Sequence, residues 1–282
     1  MNKKVIIYIL YTLFFSTLGL AQEQLLTESD TKYKLNNHLR VATLNIAHGR
    51  KDSISQFFLT KKKIIKNLND ISDVLNRHKP QVVALQEADL GQSFNHVEYL
   101  ALHSQYQFRE YVSNVDFWPF SYGTGILSIL PVSQTIKYTF DPSPPTFNKG
   151  FILTQLDWAI SSSNSIKIDI ISVHLDFSRQ SIREKQIQEM LNILSSRNNP
   201  TIIMGDFNSE WLNDEAAIKK LLKDSHFSSY KPQSSELNTY KNKRLDWILI
   251  TKELEFVKYE VLADTLSDHS MVIAEIRYKT LK

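Results

Sequence analysis

The chain has 282 residues, of which 22% are charged and 42% hydrophobic, and its formal net charge is +3. These are the fractions of an ordinary globular protein, and the length suits one large α/β domain or two small ones. The weak charge argues against a dedicated nucleic-acid surface but does not exclude a nuclease with a local basic rim. Because the chain has no cysteine, disulfides, thiolate metal ligands, a cysteine nucleophile and a lipoprotein-type anchor are excluded.

The first 21 residues have the three-part pattern of a secretory signal peptide. Lys3 and Lys4 give a basic start, residues 5–20 are uncharged and mostly apolar, and small residues lead up to Ala21. The alternative is an uncleaved membrane anchor, but the apolar run is short for a span, which needs ~20 residues. We therefore expect cleavage near Ala21 and a secreted or periplasmic protein.

Residues 22–38 are polar and are expected to form a flexible lead to a single domain over residues 39–282. Within the domain, continuous apolar runs predict buried strands, and apolar residues three and four positions apart predict helices. The predicted helices lie at 60–79, 95–104, 178–196 and 214–223. The predicted strands lie at 39–46, 81–89, 106–112, two within 122–140, and at 151–160, 166–177, 202–208, 244–250, 254–262 and 270–278.

Polar residues recur where the predicted buried strands end. They are Asn45, Glu87, His174, Asp206 with Asn208, Asp246 within its strand, and the loop residues Ser267, Asp268 and His269 before the last strand. Each alone has an ordinary explanation, such as a turn, a cap or a satisfied buried histidine. Together they form an oxygen-rich set that suits Mg²⁺, Mn²⁺ or Ca²⁺, with histidines beside carboxylates. The set predicts metal-assisted attack of water on phosphorus.

The segment "GDFN" (205–208) shows how one strand could supply two of these groups. On an extended chain, Asp206 and Asn208 face one side and Phe207 faces the other. Phe207 is then expected to anchor the strand end in the core while its neighbours reach the site.

Six motifs occur in the order typical of one superfamily: "LN" (44–45), "QE" (86–87), "HL" (174–175), "GDFN" (205–208), "RLD" (244–246) and "SDH" (267–269). In this respect the sequence resembles the endonuclease/exonuclease/phosphatase superfamily of DNase I-like phosphoesterases over roughly residues 39–278. The resemblance implies an α/β (α+β) fold, a four-layer sandwich in which two packed, mostly antiparallel β-sheets are flanked by helices.

The resemblance also implies a metal site. Glu87 corresponds to the main metal ligand, Asn45 lies adjacent to metal or phosphate, and Asp268 lies near the metal. The expected cofactor is Mg²⁺, with Mn²⁺ or Ca²⁺ as alternatives.

The catalytic roles implied by the resemblance fall on five residues. Asp206 and Asn208 position the attacking water and the phosphoryl oxygen. His269, paired with Asp246, acts as a base or as a cation on the transition state, and His174 assists the leaving oxygen.

Further residues are candidates for contact with substrate. Tyr122 resembles a substrate-side phenol, and His48, Lys149 and Arg179 are possible phosphate contacts. In DNase-like members an acid supports the histidine that corresponds to His174, and here the candidate at that place is Thr124.

The substrate class stays open between nucleic acid and a lipid or inositol phosphate. The aromatics of "DFWPF" (116–120) could stack on bases, contact a lipid interface or belong to the core. A non-catalytic binding protein on the same fold is the alternative function, but none of the expected site residues is missing. We expect a monomer with no obligate protein partner.

Overall fold

The computed structural model describes residues 37–53, 59–91, 94–118, 120–212 and 216–279. The predicted signal peptide and nearly all of the predicted lead lie outside the described residues. Among the helices of the described part, none is both long and apolar enough to cross a membrane. The strands and helices that carry the site belong to one compact unit, which comprises His38–Trp158 and the chain from Ile166 onward. The turn Ala159–Ser165 is not part of this unit.

One sheet is built mainly from the two ends of the chain. Its strands lie in the order β12 (Leu254–Val261), β13 (Val272–Tyr278), β1 (His38–Asn45), β2 (Val82–Gly91), β5 (Phe120–Ser128) and β4 (Phe108–Phe117), with the two-residue β3 (Phe94–Asn95) beside β2. The pairing of β1 with β2 is parallel, and the other pairs are antiparallel.

The second sheet is built from the middle of the chain. Its order is β10 (Phe227–Ser229), β11 (Asp246–Thr251), β9 (Thr201–Asp206), β8 (Ser165–His174), β7 (Gly150–Ala159) and β6 (Val132–Thr139). Here β8 and β9 are parallel, while β9 with β11, β10 with β11, and β6 with β7 are antiparallel.

Helices cover the outer face of each sheet. They are α1 (Lys61–His78), α2 (His96–His103), α3 (Gln180–Leu194) and α4 (Ala217–Asp224). On the first sheet, Leu68 and Ile71 of α1 pack in one core with Leu44. On the second, Met190 of α3 packs in a separate core with Val173. Burial of these apolar stripes is what holds the helices in place.

The inner faces of the sheets meet, and a buried hydrogen-bond network joins them. The Ser172 hydroxyl of β8 donates to the Leu85 carbonyl of β2 at 3.1 Å. It also accepts from Nε2 of Gln86 at 3.1 Å. The layers are therefore helix, sheet, sheet and helix, so the predicted four-layer α/β fold with mostly antiparallel sheets is confirmed.

Gly205 lets β9 approach β8 closely at the edge that carries the site. Its φ is +148°, and a Cβ there would lie 1.9 Å from the Val173 carbonyl oxygen. The glycine of "GDFN" is thus required by the backbone, since any side chain would push Asp206 out of register.

Gly205→Ala is expected to lower the free energy of unfolding by about 2–4 kcal/mol, because a backbone clash and a strained φ must both be relieved. Denaturant unfolding measures this change. Gly91→Ala is the matched control, because a Cβ at Gly91 meets only the Phe94 carbonyl oxygen at an ordinary 3.6 Å. Equal stability of the two variants would contradict the explanation.

Candidate active site

The strand register brings three of the predicted residues side by side. His174 on β8 is the parallel partner of Asp206 on β9. Asp206 in turn lies opposite Asp246 on β11. Asp246 begins its strand rather than ending it, and because β11 runs antiparallel to β9, that beginning lies at the edge where β9 ends.

His269 completes this group from the loop before β13. Its Nδ1 is 2.8 Å from Oδ2 of the fully buried Asp246, and its Nε2 is 3.9 Å from Oδ2 of Asp206. Burial alone would lower the pKa of His269, but the carboxylates of Asp246 and Asp206 raise it to about 10. The ring is therefore an imidazolium at neutral pH, with Asp246 fixing its orientation.

Asp206 is buried at the centre of the group. Its Oδ1 accepts from the backbone N–H of Asn208 at 2.9 Å, and its Oδ2 accepts from Nδ2 of Asn45 at 3.0 Å. Burial and the neighbouring Asp246 raise the pKa of Asp206 to about 7. This carboxyl can therefore exchange a proton near neutral pH.

Asn208 reaches the site by a different geometry from the predicted extended chain. β9 ends at Asp206, and Asn208 has a left-handed φ of +49°. Its side-chain Nδ2 donates to the Leu175 carbonyl at 3.0 Å. Phe207 is fully buried in the core as expected, but a turn rather than strand alternation places Asp206 and Asn208 on the same side.

The first sheet contributes Asn45 and Glu87 across the gap between the sheets. Glu87 lies at a bulge of β2, with a φ of +51°, which turns its side chain toward the site. Its Oε2 is 3.7 Å from Nε2 of His48, and its Oε1 is 3.9 Å from Nε2 of His174. Within the described residues this carboxylate accepts no hydrogen bond.

The residues fit the divalent cation that the fold family implies. Glu87 is a carboxylate facing a cavity without a close donor, and Asn45 and Asp268 add oxygens to the same cavity. This oxygen-rich donor set is the kind that Mg²⁺ and Mn²⁺ prefer. Asp268 is already paired with Arg50, whose Nη2 lies 2.5 Å from Oδ2, so Glu87 is the ligand with the least competition.

A second arrangement of possible ligands is formed by Asp206, Asp246 and His269, whose ligand atoms lie within 4.8 Å of one another. However, Nδ1 of His269 is already bonded to Asp246, and the raised pKa of His269, about 10, favours the protonated ring. A protonated imidazole has no lone pair for a metal. The trio is therefore better suited to proton handling, and Glu87 is the carboxylate that is free to hold a metal.

His174 is held by Lys149 rather than by Thr124. The Lys149 ammonium lies 3.4 Å from Nδ1 of His174 and can only donate, which leaves the ring proton on Nε2. The Thr124 hydroxyl is buried with no hydrogen-bond partner among the described residues, so its predicted supporting role is wrong. Burial, Lys149 and two nearby histidines lower the pKa of His174, which is therefore neutral.

Lys149→Met is expected to raise the pKa of His174, because it removes a neighbouring cation while burial persists, and to lower kcat about tenfold through loss of the fixed tautomer. Histidine ring NMR and steady-state rates measure the two effects. Lys167→Met, at a lysine paired with Asp157 at 3.3 Å on the sheet surface, is the control. An unchanged His174 titration in Lys149→Met would refute the assignment.

His48 and Tyr122 lie next to Glu87. Nδ1 of His48 is 2.6 Å from Oδ1 of Asp89, and the His48 and Tyr122 rings meet edge-on at 4.7 Å. Burial and the charges of Glu87 and Asp89 raise the pKa of Tyr122 to about 12, so its phenol stays a hydrogen-bond donor. The sequence reasoning missed Asp89, although it is the last residue of the predicted strand at 81–89.

Most of the predicted residues line one open cavity of about 600 Å³, but Asp246, His48 and Tyr122 do not. Asn45, Glu87, His174, Asp206, Asn208, Asp268 and His269 line it, whereas Lys149 is buried behind His174. Sequence reasoning missed the cations at its wall, which are Arg50, Arg183, Lys241 and Lys243. Arg50 directly follows "NIAHG", but Arg183 gives no signal because it lies within a helical pattern. These cations suit an anionic substrate.

The sequence matches the model of the Endonuclease/Exonuclease/phosphatase family over residues 42–269, which confirms the resemblance seen in the motifs. No curated protein matches the sequence significantly.

Solved structures from several organisms share the fold. An endonuclease/exonuclease/phosphatase from Beutenbergia cavernae DSM 12333 is 16% identical, with a TM-score of 0.66 over 86% of this chain and 72% of that one. The catalytic domain of human Nocturnin with bound sulfate anion is 19% identical, with a TM-score of 0.66 over 87% and 96%. A mannosyl-6-phosphatase of Bacteroides thetaiotaomicron VPI-5482 is 14% identical, with a TM-score of 0.63 over 85% and 100%. At these identities the likeness establishes the fold.

Proposed function

We propose, since this chain belongs to the endonuclease/exonuclease/phosphatase family, that it hydrolyses a phosphate ester by in-line attack of water with the help of a divalent cation. The observation that carries this proposal is the convergence of Asp206, His269 and Glu87 at one cavity, with the fully buried Asp246 paired to His269 behind it. A proton acceptor, a fixed cation and a metal-ligating carboxylate are the parts that this reaction needs.

Asp206 takes the proton of the attacking water. Its raised pKa makes it a better base than an ordinary aspartate, while the Asn45 amide and the Asn208 N–H fix its two oxygens. The His269 imidazolium, oriented by Asp246, lies beside it and stabilises negative charge on the phosphoryl oxygens.

Glu87, Asn45 and Asp268 would hold the cation. When bound, Mg²⁺ polarises the phosphoryl group and offsets the charge that develops on it. His174 presents its Nε2–H toward the same place and serves as a hydrogen-bond donor to the leaving oxygen.

The rate of hydrolysis is expected to depend on pH in a bell shape. Activity rises as Asp206 loses its proton at a pKa of about 7 and falls as His269 loses its own at about 10. The active form holds Asp206 deprotonated and His269 protonated, so it is the major form between these values. A pH profile of kcat/KM measures both limbs. Because each limb reports a pKa to about one unit, a profile that is flat from pH 5 to pH 9 would refute these roles.

The ester class can be separated by one panel of assays in added Mg²⁺. The panel contains plasmid DNA, an inositol phosphate, a sugar phosphate, sphingomyelin and the synthetic diester bis(p-nitrophenyl) phosphate. Turnover of at least one ester, abolished in His269→Ala, supports the proposal. Absence of turnover throughout would favour a non-catalytic binding protein.

Export from the cytoplasm is part of the proposal and is supported by the basic start, the apolar run and the small residues before Ala21. N-terminal sequencing of the protein from its native host tests it. A mature chain beginning near residue 22 supports export with cleavage, whereas retention of Met1 supports an uncleaved anchor.

A further inference from the structure

Four large aromatic side chains are exposed beside the active site. Phe117, Trp118, Phe147 and Phe177 are 47%, 94%, 57% and 65% exposed, respectively. We call these four side chains the aromatic patch. Scattered exposed hydrophobics are common, but a local group of this kind marks a binding surface.

A ring contact and a hydrogen bond bring the segments of Phe117, Phe147 and Phe177 together, and Trp118 directly follows Phe117 in the chain. The ring of Phe117, at the end of β4, lies 5.7 Å from the ring of Phe147. Phe147 follows Thr146, whose hydroxyl donates to Oδ2 of Asp176 at 2.5 Å, and Phe177 follows Asp176. This hydrogen bond therefore joins the two loops at the residues that directly precede Phe147 and Phe177.

Two members of the aromatic patch connect it to the catalytic cavity, one directly and one through neighbouring rings. Phe177 lines the cavity itself. Phe147 meets the ring of Tyr122 at 6.4 Å, and Tyr122 meets His48 beside Glu87. A surface that receives the patch would therefore also face the opening of the cavity.

The charges around the aromatic patch indicate which partner it fits. In the described segments 115–118, 140–149 and 175–179, the exposed charged side chains are the acids Asp116 and Asp141. Lys149 is buried against His174, and the Arg179 guanidinium donates to the Ser143 carbonyl. In these segments a nucleic-acid backbone or an anionic membrane would meet exposed carboxylates, and the one cation that is not buried, Arg179, is engaged by the Ser143 carbonyl.

We propose that the aromatic patch docks the protein on a zwitterionic phospholipid surface, with Trp118 and the three phenylalanines entering the headgroup region. Tryptophan and phenylalanine favour this interface, where apolar area is buried without any need for cationic partners. Docking needs no hydrolysis, so it stands or fails separately from the proposed function.

The test is binding of the whole protein to phosphatidylcholine vesicles, followed by Trp118 fluorescence. Trp158 and Trp247 are buried, and a Trp118→Phe variant supplies the background of the other tryptophans. We expect a shift of Trp118 emission to shorter wavelength and quenching by brominated lipid. This local signal also separates the patch from any binding by the apolar N-terminal run, which every variant shares.

Variants give the quantitative test. The double variant Phe117→Ala/Phe147→Ala is expected to weaken the vesicle-dependent Trp118 signal, raising the half-saturating lipid concentration about tenfold or more. Leu102→Ala is the matched control, because Leu102 is 72% exposed but lies on α2, one of the helices that cover the outer face of the first sheet. Its half-saturating lipid concentration should equal that of the parent.

Four results would overturn the proposal: no change of Trp118 emission with phosphatidylcholine; a change only with anionic vesicles; a change with single-stranded DNA in place of lipid; or a change that follows protein concentration, which would place a second copy of the chain on the patch.

Discussion

Replacing Asp206 by asparagine is expected to lower kcat about 1000-fold, within the range that general acid–base catalysis contributes. The substitution keeps the shape of the side chain but removes the proton acceptor. In the parent, Asn45 Nδ2 donates to Oδ2 of Asp206 at 3.0 Å, and the oxygen of the new amide can still accept this hydrogen bond. The fold is expected to persist, as circular dichroism would show.

The pH profile supplies a second signature for this variant. The limb near pH 7 is expected to disappear, since it reports the raised pKa of Asp206. Asp157→Asn is the matched control, because Asp157 lies on the sheet surface with Lys167. An Asp206→Asn enzyme within about tenfold of the parent would exclude Asp206 as the base.

Glu87→Gln is expected to remove both metal binding and most of the activity. A neutral amide is a far weaker ligand for a hard cation than a carboxylate, and we expect kcat/KM to fall about 100- to 1000-fold. In the parent, metal at 100 times its dissociation constant should stabilise the fold by about 2.7 kcal/mol.

Thermal unfolding with and without Mg²⁺ reads the metal site independently of catalysis. The rise in Tm is expected in the parent and in Glu110→Gln, whose glutamate instead pairs with Lys137 at 3.3 Å. It should be absent in Glu87→Gln. A metal-dependent rise that survives in Glu87→Gln would move the site to the Asp206, Asp246 and His269 group.

The fold was largely predictable from the sequence because the spacing of apolar residues reflects which face of each helix or strand is buried. The run of α1 shows its apolar stripe clearly, and the predicted helix at 60–79 corresponds to Lys61–His78. Short β3 and β10 were missed, since two or three residues carry no readable period. The sheet order was also beyond prediction, because pairing joins β1 with β13, which are far apart in sequence.

The site was partly predictable for a related reason. Polar residues in buried segments are costly unless they have partners, so Asp206 and Asp246 were conspicuous among apolar neighbours. How they meet was not readable: Glu87 reaches the site through a bulge, and Asn208 through a left-handed turn.

Partners from remote loops were the least predictable. Lys149 holds His174 across 25 positions of sequence, and Arg50 pairs with Asp268 across 218. Neither pairing leaves a local signal. The exposure of Trp118 was likewise not predictable, because an aromatic segment is compatible with the core or the surface until the position of the β4–β5 hairpin is known.

The most direct test of the central claim is hydrolysis of bis(p-nitrophenyl) phosphate by the unmodified protein, measured before chelation, after removal of divalent cations, and after return of Mg²⁺. We predict that turnover is lost on chelation and restored by Mg²⁺ in the parent but not in Glu87→Gln. Turnover that continues undiminished without divalent cations would contradict the assignment of Glu87 and the proposed reaction.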